Sequence, residues 1–150
     1  MTADIGLTFD PRTRRCDIGF AGADVAIDTT ARTPLIVSIG CDRRAAPDDV
    51  LPSGVPDAQD ARWNPRRGWP GDALDPAGER IGSRLWLIER EKHTEEVRLR
   101  AEDYLAEATA WLARRGLDVS SAAVWVRANM LGFVVRAGGR QLQFNRAVGG

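Results

Sequence analysis

Two carboxylates one residue apart, Glu89 and Glu91, are the side chains whose type and spacing most suggest acid–base chemistry. Paired acids cleave glycosidic bonds when the carboxyls stand about 5–5.5 Å apart for retention or about 6.5–9.5 Å apart for inversion. Their segment reads as helix, and residues two apart on a helix point about 200° away from each other. Arg84, Arg90 and Lys92 lie close in sequence and favour ionised, ion-paired acids over a proton donor. A charged helix face, with no catalytic residue, is therefore expected. His93 is the only histidine, and Cys16 and Cys41 are the only cysteines, without C-x-x-C spacing. A structural zinc site needs four ligands, so neither a metal nor any other cofactor is expected. The glycines form neither G-x-x-x-x-G-K-S/T nor G-x-G-x-x-G after a strand, the usual phosphate cradles.

Recognition is better served than catalysis. Residues 43–78 hold six of the eight prolines, together with Gly54, Gly68, Gly71 and Gly78, and no period of strand or helix survives there. A stretch without regular structure longer than about 15 residues is uncommon in a compact domain and is usually functional or disordered. This one carries Trp63, Arg66, Arg67 and Trp69, and tryptophan and arginine are the types most enriched at interface hot spots. These four are expected to bind a partner. Arg80, Arg84, Glu89 and Arg90 are second candidates, against the alternative that they pair within the molecule.

The elements that must carry these residues read as an α+β arrangement. Ile5, Leu7 and Phe9 alternate with Asp4, Gly6, Thr8 and Asp10, and Cys16, Ile18, Phe20 and then Val25, Ile27 repeat the pattern. That is an N-terminal β-hairpin or meander. Thr29 or Thr30 can cap a short helix over 31–41, with Pro34 in its first turn. After the long loop, Ile81, Leu85, Ile88 and Lys92 step by three or four and predict a helix. Thr94, Glu95 and Glu96 open a second one, whose stripe runs from Val97 to Leu112 and which Gly116 closes. Alternation over 122–127, 131–136 and 140–145, with turn signals at Asn129 and Gly138-Gly139, predicts a C-terminal three-stranded antiparallel sheet.

Composition bounds the rest. The 150 residues are 43% hydrophobic and 28% charged, which suits one globular domain, 1–150. No apolar run approaches the roughly 20 residues of a membrane span, and no secretory signal is read at the N-terminus. Lys+Arg and Asp+Glu number 21 each, so a globally basic nucleic-acid binder is excluded. Residues 1–75 carry 12 acids and 9 bases, residues 76–150 carry 9 acids and 12 bases, and Val119–Gly150 has four arginines and no carboxylate. That sheet, with Trp125, Phe133 and Phe144, keeps single-stranded nucleic acid as a lesser alternative. A carboxylate-bearing protein surface is the better counterpart.

Several runs carry a family resemblance. Asp42-Arg43-Arg44-Ala45, Asp48-Asp49 with Leu51-Pro52, and Arg66-Arg67-Gly68-Trp69 leading to Gly71-Asp72 come first. Arg80-Ile81-Gly82-Ser83-Arg84-Leu85-Trp86, Glu89-Arg90-Glu91-Lys92, Ala101-Glu102-Asp103-Tyr104 and Trp111-Leu112 follow. In this order and spacing the chain resembles the Mu-like phage baseplate wedge proteins, the Mu "protein 46" family, from the Asp4–Asp10 strand to the final strands. It is similar in plan to the small wedge protein of T-even phages. Pro70 stands where the family usually has a second aromatic, and the T-even Glu-Pro-Arg signature is absent.

The resemblance implies a non-catalytic component of a contractile-tail baseplate, assembled in the host cytoplasm and present in several copies around the tail axis. Its partners would be larger wedge subunits, the central hub or spike, and the tail sheath, with no nucleic acid and no membrane. It adds Asp72 to the partner-binding set. The rival reading is a tail-associated, lysozyme-like peptidoglycan hydrolase.

Overall fold

Six short strands open the chain and form three arms that meet at one point. The structure, a computed structural model, describes residues 3–10, 12–13, 15–52 and 64–149. β1 (Asp4–Ile5) pairs antiparallel with β6 (Ile27–Asp28), β2 (Leu7–Asp10) with β3 (Arg15–Ile18), and β4 (Phe20–Ala21) with β5 (Asp24–Val25). Where the arms join, the Gly6 N–H donates to the Ala26 carbonyl at 2.7 Å, Gly19 to Gly6 at 2.7 Å, and Ala26 to Gly19 at 2.9 Å. The three bonds close a ring. A Cβ on Gly6 would lie 3.0 Å from the Ala26 carbonyl oxygen, so glycine fits this crossing. The alternating pattern was legible as strands, β2–β3 and β4–β5 are hairpins as expected, and β1–β6 adds a third arm.

Asp28 ends the module and starts the first helix, α1 (Arg32–Gly40). Its carboxylate accepts the N–H groups of Thr30 and Thr33 at 2.8 and 2.7 Å and the Thr30 hydroxyl at 2.6 Å. Burial works against the charge; the Thr30 hydroxyl and the Thr33 and Thr30 amides outweigh it and hold the pKa at about 2. Thr30, an expected cap, contributes by accepting the Arg32 N–H at 3.2 Å. Thr33 docks the helix on the strands, donating to the Ile5 carbonyl and accepting from the Leu7 amide.

The helix expected around 81–92 is not α-helical. A short 3-10 turn occupies Arg84–Ile88, and another occupies Pro70–Leu74. Leu85, Trp86, Leu87 and Ile88 are all buried, so the segment has no polar face to turn to water. Gly82 lies at φ +96°, and a Cβ there would come within 2.5 Å of the Cys41 carbonyl oxygen. The backbone is instead held laterally: Ser83 donates to Cys41 at 2.9 Å and Arg43 donates to Ser83 at 3.0 Å.

The long helix α2 (Glu95–Arg114) follows its expected limits closely. The Thr94 hydroxyl accepts the Val97 N–H at 3.3 Å. At the other end Gly116, at φ +81°, donates to Ala113, and Leu117 donates to Leu112, which satisfies the last carbonyls. Val97, Ala101, Tyr104, Leu105, Ala108 and Leu112 form its buried face.

β7 (Val119–Arg127), β8 (Met130–Ala137) and β9 (Arg140–Ala147) form the expected antiparallel meander, each strand longer than its pattern suggested. Asn129 and Gly138-Gly139 take positive φ at its two turns. Leu131, Phe133, Val135 and Ala137 on β8 are fully buried, and Phe133 stacks on Phe144 of β9. Burying such a side chain fully contributes about 1.5–3 kcal/mol. Helices, sheet and the 85–88 segment share one core.

Candidate interaction surface

The described stretches of the long loop form a belt beside Trp86, stitched by arginines. Its two legs pair where the Ala45 N–H donates to the Arg66 carbonyl at 2.9 Å. The Arg66 guanidinium donates to the carbonyls of Ala46 and of Pro47, the latter at 3.0 Å. Arg67 adopts φ +50° in a turn closed by its own N–H to the Asn64 carbonyl and by the Asn64 side-chain amide to the Arg67 carbonyl. Its guanidinium donates to Asp42 at 2.7 Å, lies 3.8 Å from Glu89, and sits 4.4 Å over the Trp86 ring. Gly68 follows at φ +96°, where a Cβ would meet the Arg44 side chain at 2.6 Å. Trp86 anchors the belt from below, donating its indole N–H to the Arg43 carbonyl at 2.8 Å.

A second cluster centres on Arg84. Its Nη1 lies 3.0 Å from both Asp49 oxygens, its Nε donates to Glu107 at 2.8 Å, and the guanidinium covers the Tyr104 ring at 4.8 Å. Burial opposes its charge, but Glu107 and Asp49 outweigh that and push the arginine pKa upward. Asp49 in turn accepts the Ala46 N–H at 2.7 Å. Arg43 joins the cluster through Glu107 at 3.5 Å and the Arg80 carbonyl at 2.9 Å. Arginine suits such sites because its planar fork serves several acceptors at once.

The expected contact residues thus divide. Arg66, Arg67 and Arg84 face the chain's own carbonyls and carboxylates. Glu89 binds Arg146 and Arg67, while Glu91 binds Arg100 at 3.0 Å. Trp69 is 55% exposed, and its ring lies across Gly71. Arg80 and Arg90 are exposed, with no side-chain partner among the described residues. Asp72 Oδ1 accepts the Ile81 N–H at 3.1 Å, while its Oδ2 is buried without a hydrogen bond. Trp63 lies outside the described residues.

Arg43, Asp49, Trp86, Tyr104 and Glu107 were not singled out as site residues. Their partners stand tens of residues away, and the one available signal was the density of Arg and Asp at 42–49. His93 is exposed; it stacks on Trp125 at 3.9 Å and accepts the Asn129 N–H at 3.3 Å. Both cysteines are free; burial comes first in pushing each thiol's pKa up, which disfavours thiolate chemistry. Among the described residues, no group of three or more His, Cys, Asp or Glu side chains is placed to hold a metal.

The belt, the 3-10 turns, both helices and most of the sheet lie within residues 31–142, which match a family model described as "Phage protein GP46". The chain belongs to the phage GP46 family. A similar GP46 relative is "Baseplate protein gp46" of Escherichia phage Mu, 40% identical over 117 residues. The alignment covers 78% of this chain and 72% of the Mu protein. No solved structure matches. The GP46 match begins at Ala31, after the three-armed module.

Proposed function

We propose that this chain is a non-catalytic structural component of a contractile phage or phage-like tail, located in the inner wedge of the baseplate. It joins larger wedge subunits to the hub or spike and to the sheath. The observation that carries this reading is the 40% identity to the Mu baseplate protein across most of both chains. The arrangement of charge supports it. Glu89 and Glu91, the pair raised for paired-acid chemistry, are committed to different arginines. The arginine network holds the described stretches of the loop in one shape, so their exposed side chains are presented with little left to order on binding. Within that frame Trp69, Arg80 and Arg90 are the contact residues, and Arg66, Arg67, Arg84 and Glu89 fix the surface that carries them.

The test is to delete the gene from the particle's genome and to label the protein in complemented particles. Without it, tail tubes and sheaths should fail to join a baseplate, and an antibody tag should mark the tail end distal to the capsid. Normal contractile tails in its absence would overturn the reading. So would peptidoglycan cleavage by the purified protein that disappears in Glu89→Gln.

A further inference from the structure

A groove of about 660 Å³ runs between α1, α2 and the 77–81 segment. It continues past Arg43 and Arg80 into a second hollow of about 330 Å³ bordered by Arg44 and Arg84. Half-buried Val37, Ile81, Ala110 and Trp111 give it an apolar floor. Trp111 is fixed there: its indole N–H donates to the Ser38 hydroxyl at 2.9 Å, and Arg115 covers its ring at 4.9 Å.

The walls are rich in arginine, and the arginines fall into two classes. Arg43, Arg84 and Arg114 are neutralised by Glu107, Asp49 and Glu79. Arg44 and Arg80 have no side-chain partner among the described residues, and Arg115 has only the Trp111 ring. The Arg80 backbone is nevertheless held, because its carbonyl accepts Arg43. Two uncompensated guanidinium groups, Arg80 and Arg115, therefore line the groove with the apolar floor, and a third, Arg44, borders the adjoining hollow.

We propose that this groove receives an acidic, partly apolar segment of another protein of the same tail particle. Its carboxylates meet Arg44, Arg80 and Arg115, and one of its apolar side chains lies over Trp111. Fork-to-carboxylate pairing suits arginine, and a partner's acids supply the charge the chain itself withholds from these three. A nucleic acid fits less well. Its backbone is charged at every residue and would run against Asp4, Glu79 and Glu107 in the same lining. The proposal rests on the baseplate reading and adds the chemistry of one partner.

Two measurements test it in assembled particles. A benzoylphenylalanine in place of the exposed, groove-lining Ala77 is photo-activated, and the attached peptide is sequenced. A peptide of another tail protein rich in Asp and Glu with a large apolar residue is expected. In parallel, Arg44→Glu with Arg80→Glu, both exposed and without a side-chain partner among the described residues, should cut particle yield about tenfold or more, as hot-spot arginines do, while the purified variant melts like the parent. Attachment to a neutral or basic peptide or to nucleic acid would overturn the groove assignment, as would no attachment from incorporated protein or undiminished yield. A chain absent from purified particles would overturn the baseplate reading, and the groove assignment with it.

Discussion

Asp28 shows how one side chain links two regions of the fold. It closes the strand module and accepts the Thr33 amide in the first turn of α1 and the Thr30 amide just before it, and its pKa is held at about 2 against an ordinary 3.8. A carboxylate with a lowered folded-state pKa stabilises above the unfolded value and loses that contribution as pH falls through the folded value. Asp28→Ala should therefore cost about 0.5–2 kcal/mol at neutral pH, the usual range for a lost helix cap. The gap from the parent should shrink between pH 4 and 2, as read by urea unfolding at a series of pH values. A constant gap across that window would show that the charge is not what matters. The sequence offered Thr29 or Thr30 as the cap; the residue at the N-cap position is Ala31, which has no side chain to cap with, and Thr30 and Asp28 serve the first two amides of the helix from further back. The arginines were visible as unusual in number and position, but not in their pairing. Arg84 reaches Asp49 across 35 positions and Arg67 reaches Asp42 across 25, which no local spacing records.

The elements differ in how far they could be read. α2 was legible because its cap, stripe and closing glycine are all local and agree with one another. The C-terminal meander was legible for the same reason, with turn residues at both hairpins. The 81–92 segment misled because its apolar residues satisfy a helical spacing while every side chain from Leu85 to Ile88 is buried. Its conformation is decided by a neighbour, the Cys41–Arg43 backbone. Gly82 is the position where that neighbour leaves no room. Gly82→Ala should destabilise by about 1–3 kcal/mol, from the positive φ alone, and more through the collision with Cys41. Thermal or denaturant unfolding checks it, and a variant as stable as the parent would show that the close approach does not constrain this position.

For the whole molecule, the equal numbers of acids and bases conceal an internal traffic of charge. Asp42 and Asp49 of the acid-leaning half are paired with Arg67 and Arg84, and Glu89 ties the belt to Arg146 of the last strand. The belt and the terminal sheet are thus joined electrostatically as well as through the core. Arg67 and Trp69, adjacent but for one glycine, should then behave differently. Arg67→Ala removes contacts to Asp42, Glu89 and Trp86 and should lower the unfolding midpoint of the isolated chain. Trp69→Ala should leave the midpoint unchanged and reduce assembly of particles. Melting curves and particle counts for the two single variants separate the roles; a large loss of stability in Trp69→Ala would make that indole a member of the frame.

The hydrogen-bonded ring at Gly6, Gly19 and Ala26 has a consequence in time. Each of the three amides is donor to the next arm, so releasing any of them loosens the place where all three arms turn. The ring should then open as a unit, with its own free energy, distinct from that of the core beneath. Deuterium should enter these three amides at a shared rate, slower than at the arm tips and faster than at Phe133 or Leu105. Three unrelated rates would mean that the arms separate independently.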